Sequence, residues 1–362
     1  MKLLYIVPDI NNEGGVARVL TIKTSYLIEK FGYEISVITQ NDGNSFPFYT
    51  FNNKIDLHDI ILKGNKIIFF KNYIKLLNDK INLIHPDIIV VCDNGLKAYT
   101  IPFIVKSKIP IIFESHNSKF LELNHKKNFF LSELKYWFRN YGASKFNKFI
   151  ALSGASLKEW NLNNGIVIPN PSWNTNNKKS DLTNKKAIAV GRHVYEKGFD
   201  DLLKIWQKVS EKHSDWVLDI YGKSDENKTY EKLAKELKID KNVNFYEPIQ
   251  NIEDKYSEAS VFLMTSKFEG FPMVLIEAIV SGLPCIAFDC PVGPRAIIVN
   301  NKNGFLIPES ENDEFYNKLI YLIENNDLKI KMGQNALESS KKYATDLIMN
   351  QWNDLFKSLI EN

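Results

Sequence analysis

The chain has 362 residues, 44% apolar and 25% charged, and its 46 lysines and arginines against 43 aspartates and glutamates leave a net charge of +3. That length suits two globular domains, each with an ample core. The charge balance is ordinary and too weak to point to a nucleic-acid partner, and no run reaches the eighteen or so apolar residues of a membrane-spanning helix.

The opening MKLLYIVPDI supplies a strand at 3–8. Pro8 and Asp9 end its apolar run, so it is too short and interrupted for a signal peptide. Further strands are expected at 34–39, 87–92, 109–114, 148–153 and 165–169, with helical patterns at 16–31, 67–84 and 120–143 between them. Short β-branched runs alternating with helices predict a parallel sheet covered on both faces. Three features of this half could carry function. Gly14 and Gly15 sit in DINNEGGVARVL, at the first strand-to-helix turn. Missing side chains there let a ligand approach the backbone, but the string is not G-x-G-x-x-G, and a turn needing glycine for its conformation fits equally. His116, in ESHNS, follows the strand 109–114 and is either structural or a site residue. The segment 125–149 is basic and aromatic, with Lys126, Lys127, Lys135, Arg139, Lys145 and Lys148 flanking apolar rings. It reads as a helix lying on an anionic membrane surface or as one with a solvated face and a buried aromatic face.

The stretch SWNTNNKKSDLTNKK, within 171–186, is polar and aperiodic, and is expected to be a linker. A second series follows, with strands at 187–191, 216–222, 243–246, 261–265, 284–288 and 305–308. Helices are expected near 198–213, 229–238, 251–259, 273–281, 312–325 and 328–342. The expected organisation is therefore a domain over 1–170, the linker 171–186, a domain over 187–343 and an amphipathic helix over 344–362. Two doubly wound α/β domains facing across a cleft would bind ligands beyond the carboxyl ends of their strands.

Residues 261–283, VFLMTSKFEGFPMVLIEAIVSGL, form a strand, a glycine-containing loop and a helix, with Glu269 in the loop and Glu277 eight residues later in the helix. A helix start is an anion site, because its first N–H groups lack intrahelical partners and its dipole is positive. A carboxylate suits hydroxyl groups instead. Together they suggest a ligand with both phosphate and polyol, a nucleotide sugar, though an ordinary βα unit with two solvated glutamates fits the same string. GRHVYEKGF (191–199) places Arg192 and Lys197 just past another strand end, where they could neutralise a diphosphate or form a solvated basic loop. His193 beside them is a second candidate, and Asp289 before the stiff turn CPVGPRA is a candidate wall. No metal is expected: the chain has no D-x-D triplet, and its six histidines lack ligand spacing. Cys92, Cys285 and Cys290 form no C-x-x-C pair and read as buried free thiols of a reducing cytosol.

With these residues in place, the chain resembles the large family of retaining glycosyltransferases called GT4, of GT-B fold. Its E-x7-E motif appears as Glu269 and Glu277, its G-R-x-x-x-x-K-G element as Gly191, Arg192, Lys197 and Gly198, its glycine pair as Gly14–Gly15 and its cleft histidine as His116. The inter-domain N-P turn appears as Asn170 in IPNPS. The resemblance implies that Arg192 and Lys197 hold the donor diphosphate, Glu277 the ribose hydroxyls and Glu269 the donor sugar near the reacting carbon. It further implies that Gly270, Phe271, Pro272, Met273 and Val274 present backbone amides to sugar and phosphate. The loop at Pro248 and Ile249 would hold the base. Many relatives with a CPxGPxE turn carry Glu where this chain has Ala296. The implied activity is retaining, metal-independent transfer of a hexosyl unit from a UDP-sugar to a glycan or lipid-linked glycan acceptor, in the cytoplasm or peripherally on the inner face of the membrane. A sugar-nucleotide epimerase, a phosphorylase and a non-catalytic sugar-binding protein are the alternatives.

Overall fold

The computed structural model describes residues 1–40, 43, 47–119, 129–173 and 178–361. The chain divides into two compact units, Met1–Pro171 with Thr345–Asn362 and Ser172–Ala344. Unit 1 runs β1 Lys2–Ile6, α1 Gly15–Phe31, β2 Glu34–Gln40, β3 Asp56–Ile60, α2 Lys66–Ile84, β4 Ile88–Val91, α3 Ile101–Ile104, β5 Ile111–Ser115, α4 Phe129–Ala143, β6 Lys148–Ala151, α5 Gly154–Trp160 and β7 Gly165–Val167. Its parallel sheet has the order β3-β2-β1-β4-β5-β6-β7. Successive strand residues feed opposite faces. Leu3, Tyr5 and Val90 join one buried cluster while Leu4, Ile6 and Val91 join the other. This two-sided burial is why the strands read as unbroken apolar runs.

Unit 2 runs β8 Lys186–Val190, α6 Phe199–Lys212, β9 Val217–Tyr221, α7 Thr229–Glu236, β10 Val243–Tyr246, α8 Glu253–Ser257, β11 Val261–Met264, α9 Met273–Val280, β12 Cys285–Phe288, β13 Gly304–Ile307, α10 Asn312–Glu324 and α11 Asn326–Ser340. Its parallel sheet has the order β10-β9-β8-β11-β12-β13. The chain then returns to unit 1 as α12, Thr345–Ile360. Trp352 and Phe356 of α12 enter the unit 1 core, and Tyr26 and Tyr33 donate hydrogen bonds to Asp346 and Asn353, each 2.7 Å.

The structure adds to the sequence reading at three places. Strand β3, DLHDI, was not foreseen, because it is an edge strand whose polar residues leave no apolar run. The helix expected at 120–143 is seen as Phe129–Ala143, and residues 120–128 lie outside the described residues. The polar stretch expected as a linker is anchored to unit 2 wherever it is described. Lys179 donates to Val280 O at 2.7 Å, Ser180 N to Ser281 O at 2.9 Å and Asn184 to Glu258 O at 2.9 Å, while Leu182 is buried. Its polarity serves backbone carbonyls, a use that composition does not reveal. Among the described residues, no helix is long and apolar enough to cross a membrane.

Candidate active site

In unit 2 the strand order grows from β8 to β9 and β10 on one side and from β11 to β12 and β13 on the other. The loops leaving β8 and β11 therefore flank a topological switch point, where open α/β sheets bind ligands. They are residues 191–198 and 265–272, the two segments singled out from sequence. The loops are laced together. Thr265 Oγ1 donates to the carbonyls of Lys197 and Gly198 at 3.2 and 2.9 Å, and Lys267 N donates to Glu196 O at 2.8 Å. Gly198 is left-handed (φ +62°), and a Cβ there would lie 2.1 Å from Thr265 O, so only glycine fits. The result is an ion pair across the switch point, with Lys197 Nζ 2.7 Å from Glu269 Oε1 and both side chains partly buried. Arg192, on the same loop as Lys197, is exposed.

Helix α9 starts beside Glu269. Pro272 is its cap residue and makes no side-chain capping hydrogen bond, and the positive end of the helix dipole lies there. Glu277 lies one turn along, and Tyr256 Oη donates to its Oε2 at 2.5 Å. Burial, reinforced by the Glu277 charge, pushes the Tyr256 phenol well above its ordinary pKa, so it stays a donor. Phe271, Pro272 and Met273 are buried, with Gly270 and Val274 half-buried beside them. The turn CPVGPRA backs the loop: a Cβ on Gly293 would meet Pro272 Cδ at 2.7 Å and Glu269 Cβ at 2.8 Å. Asp289 pairs with Arg295 of that turn at 3.0 and 2.8 Å, which accounts for its charge within the turn. Ala296 takes part through its carbonyl, which accepts from Tyr343 Oη at 2.9 Å and Lys342 Nζ at 3.1 Å. Pro248 and Ile249 follow β10, which ends at Tyr246, whose ring stacks on Tyr221 at 4.7 Å.

The unit 1 candidates also lie at strand carboxyl ends. Gly14 N donates to Asn12 Oδ1 at 2.7 Å, closing the turn that starts α1 at exposed Gly15. His116 follows β5 with Nε2 3.5 Å from Glu114 Oε1. Burial depresses the His116 pKa; Glu114 opposes this and Lys23 adds to it. The ring is therefore neutral near pH 7. Both Glu114 oxygens accept from buried Lys23, at 2.7 and 2.6 Å. Burial alone would raise the Glu114 pKa, but Lys23 and His116 hold it below the usual value. The fold gathers Cys92, Glu114 and His116 within 4.8 Å of one another, a grouping invisible in sequence, and the Lys23 ammonium supplies its cation.

The profile of the glycosyl transferases group 1 matches residues 172–339. An uncharacterized glycosyltransferase of Haemophilus influenzae is 30% identical over 97% of this chain and 98% of its own length. The chain belongs to the group 1 glycosyltransferases. The amylovoran biosynthesis glycosyltransferase AmsD of Erwinia amylovora is 29% identical, covering 98% of this chain and 99% of AmsD. A crystal structure of an S. aureus TarM mutant in complex with Fondaparinux, alpha-GlcNAc-glycerol and UDP superposes with a TM-score of 0.79 at 17% identity, covering 98% and 99% of the two chains. That likeness establishes the GT-B fold.

In this glycosyltransferase His193 is boxed edge-to-face by Phe199, Tyr230 and Phe245, and both of its ring nitrogens are buried without a hydrogen-bond partner among the described residues. Arg139 is buried, donating to Lys119 O and Asn94 O, and is absent from any basic face; Lys126 and Lys127 lie outside the described residues. Sequence reasoning missed Tyr256, Thr265 and the Tyr221–Tyr246 stack. Each lies far in sequence from the residue it serves, and none belongs to a motif.

Proposed function

We propose that this glycosyltransferase moves a hexosyl unit from UDP-hexose or UDP-N-acetylhexosamine to a sugar hydroxyl of a surface polysaccharide or glycolipid, with retention of configuration and without a metal. The observation that carries the reading is the Lys197–Glu269 pair beside the N-terminus of α9, with Arg192 on the same loop. A sugar diphosphate has the complementary pattern: anionic oxygens for Arg192, Lys197 and the helix end, and hydroxyls for Glu269 and Glu277. The UDP bound to the TarM mutant and the polysaccharide named for AmsD support the same donor and product classes.

In the proposed reaction the bond from the anomeric carbon to the diphosphate oxygen breaks, and a bond to the acceptor oxygen forms on the same face. The acceptor proton passes to the departing phosphate oxygen, and UDP leaves. Arg192, Lys197 and α9 lower the barrier by stabilising charge on the leaving group; Glu269 positions the sugar and supports its positive character. The test is a panel of UDP-, GDP- and ADP-sugars read by thermal shift, then mass analysis of products on lipid-linked acceptors with a chelator present. Stabilisation by a UDP-sugar and a product heavier by one retained sugar are expected. An inverted linkage, or isomerisation of the donor without an acceptor, would contradict the reading.

A further inference from the structure

Unit 1 holds a depression that the transfer chemistry does not use. It has a volume of about 480 Å³ and is lined by Trp137, Asn140, Tyr141 and Ser144 from the end of α4 and by residues 161–164 from the loop between α5 and β7. We propose that it is a second carbohydrate site, which holds a neutral oligosaccharide chain away from the reacting end.

The first argument is the platform. Trp137 and Tyr141 are four residues apart on α4, with rings 4° from parallel and centroids 5.6 Å apart. Phe103 extends the stack from Tyr141 at 5.7 Å and 15°. All three are exposed, Trp137 by 63%. A stack of exposed rings leaves its outer ring surface in water, and apolar ring surface of this kind matches the C–H face of a sugar ring. The second argument is the polar lining. It consists of amides and a hydroxyl, without a carboxylate or a cation. The side-chain oxygens of Asn140 and Asn164 are out of contact with water and have no hydrogen-bond partner. Asn164 is held in place, because its Nδ2 donates to Ala143 O at 3.0 Å and Phe146 O at 2.8 Å. A neutral lining of amides and a hydroxyl suits the hydroxyl groups of a sugar.

Position separates this depression from the unit 1 residues implicated in transfer. Ser144 and residues 161–164 immediately precede β6 and β7, so the depression lies at the amino ends of the strands. Gly14, Gly15 and His116 follow the carboxyl ends. A strand of four or five residues spans roughly 15 Å. A bilayer surface is the competing occupant of these exposed rings. Arg139 is buried and Lys145 Nζ sits 4.9 Å from the Tyr141 ring centroid, so the test includes an anionic bilayer beside the saccharides.

The test is calorimetry of the full chain with neutral tetrasaccharides of glucose, galactose and N-acetylglucosamine, beside sedimentation with phosphatidylcholine–phosphatidylglycerol vesicles. Saturable binding of at least one tetrasaccharide is expected, weakened at least tenfold by Trp137→Ala and by Tyr141→Ala. UDP affinity, measured separately, should be unchanged in both variants, and wild-type circular-dichroism melts show that they fold. The inference does not rest on the donor assignment, so loss of UDP binding in the wild type would leave it standing. It is overturned if no tetrasaccharide binds, if both variants bind like the wild type, or if Trp137→Ala abolishes vesicle binding in a protein that binds no saccharide.

Discussion

Glu277 is held from behind. The Tyr256 hydroxyl, 2.5 Å away and buried, fixes one carboxylate oxygen of Glu277. A hydrogen bond to a charged group contributes about 1.5–3 kcal/mol. Tyr256→Phe should therefore raise the donor KM about tenfold while kcat changes little, the signature of lost uniform binding. Steady-state kinetics beside a melting curve would check it; lowered stability with an unchanged KM would make Tyr256 structural only. The carboxylates were legible in sequence because a strand, a loop and a helix of fixed spacing carry them. Tyr256 was not, because α8 meets α9 only in the folded unit. His193 sits next to Arg192 in sequence, and the chain turns its ring into an aromatic box that the string GRHVYEKGF does not reveal.

At the level of elements, the site depends on two loops being locked at one glycine. Gly198 ends the turn after β8 in a left-handed conformation and lies against the Thr265 carbonyl from the loop after β11. Gly198→Ala adds both backbone strain and a contact that a carbonyl cannot yield to. A cost of about 1–3 kcal/mol to unit 2 is expected, with a raised donor KM because Lys197 moves with the turn. A circular-dichroism melt and donor titration would check this, and wild-type values in both would refute the locking role. The parallel strands buried on both faces were readable from apolar runs. Strand β3 was not, since its residues gain pairing with β2 at the sheet edge and little burial.

Over the whole molecule the chain builds one parallel sheet, crosses to a second, and returns to the first through α12. Alternating strands and helices made the two sheets legible. The polar segment 178–185 did not announce its anchoring, because its hydrogen bonds go to backbone carbonyls of unit 2. The proposed donor-binding residues Arg192, Lys197, Glu269 and Glu277 and the start of α9 lie within the second unit. The central claim is that side-chain cations and a helix end grip the diphosphate. Isothermal titration of UDP into the full chain in the presence of a chelator, for wild type and Lys197→Ala, tests this most directly. The account predicts tight binding by the wild type without added metal and at least tenfold weaker binding by Lys197→Ala. UDP binding that needs a divalent cation, or that Lys197→Ala leaves untouched, would contradict it.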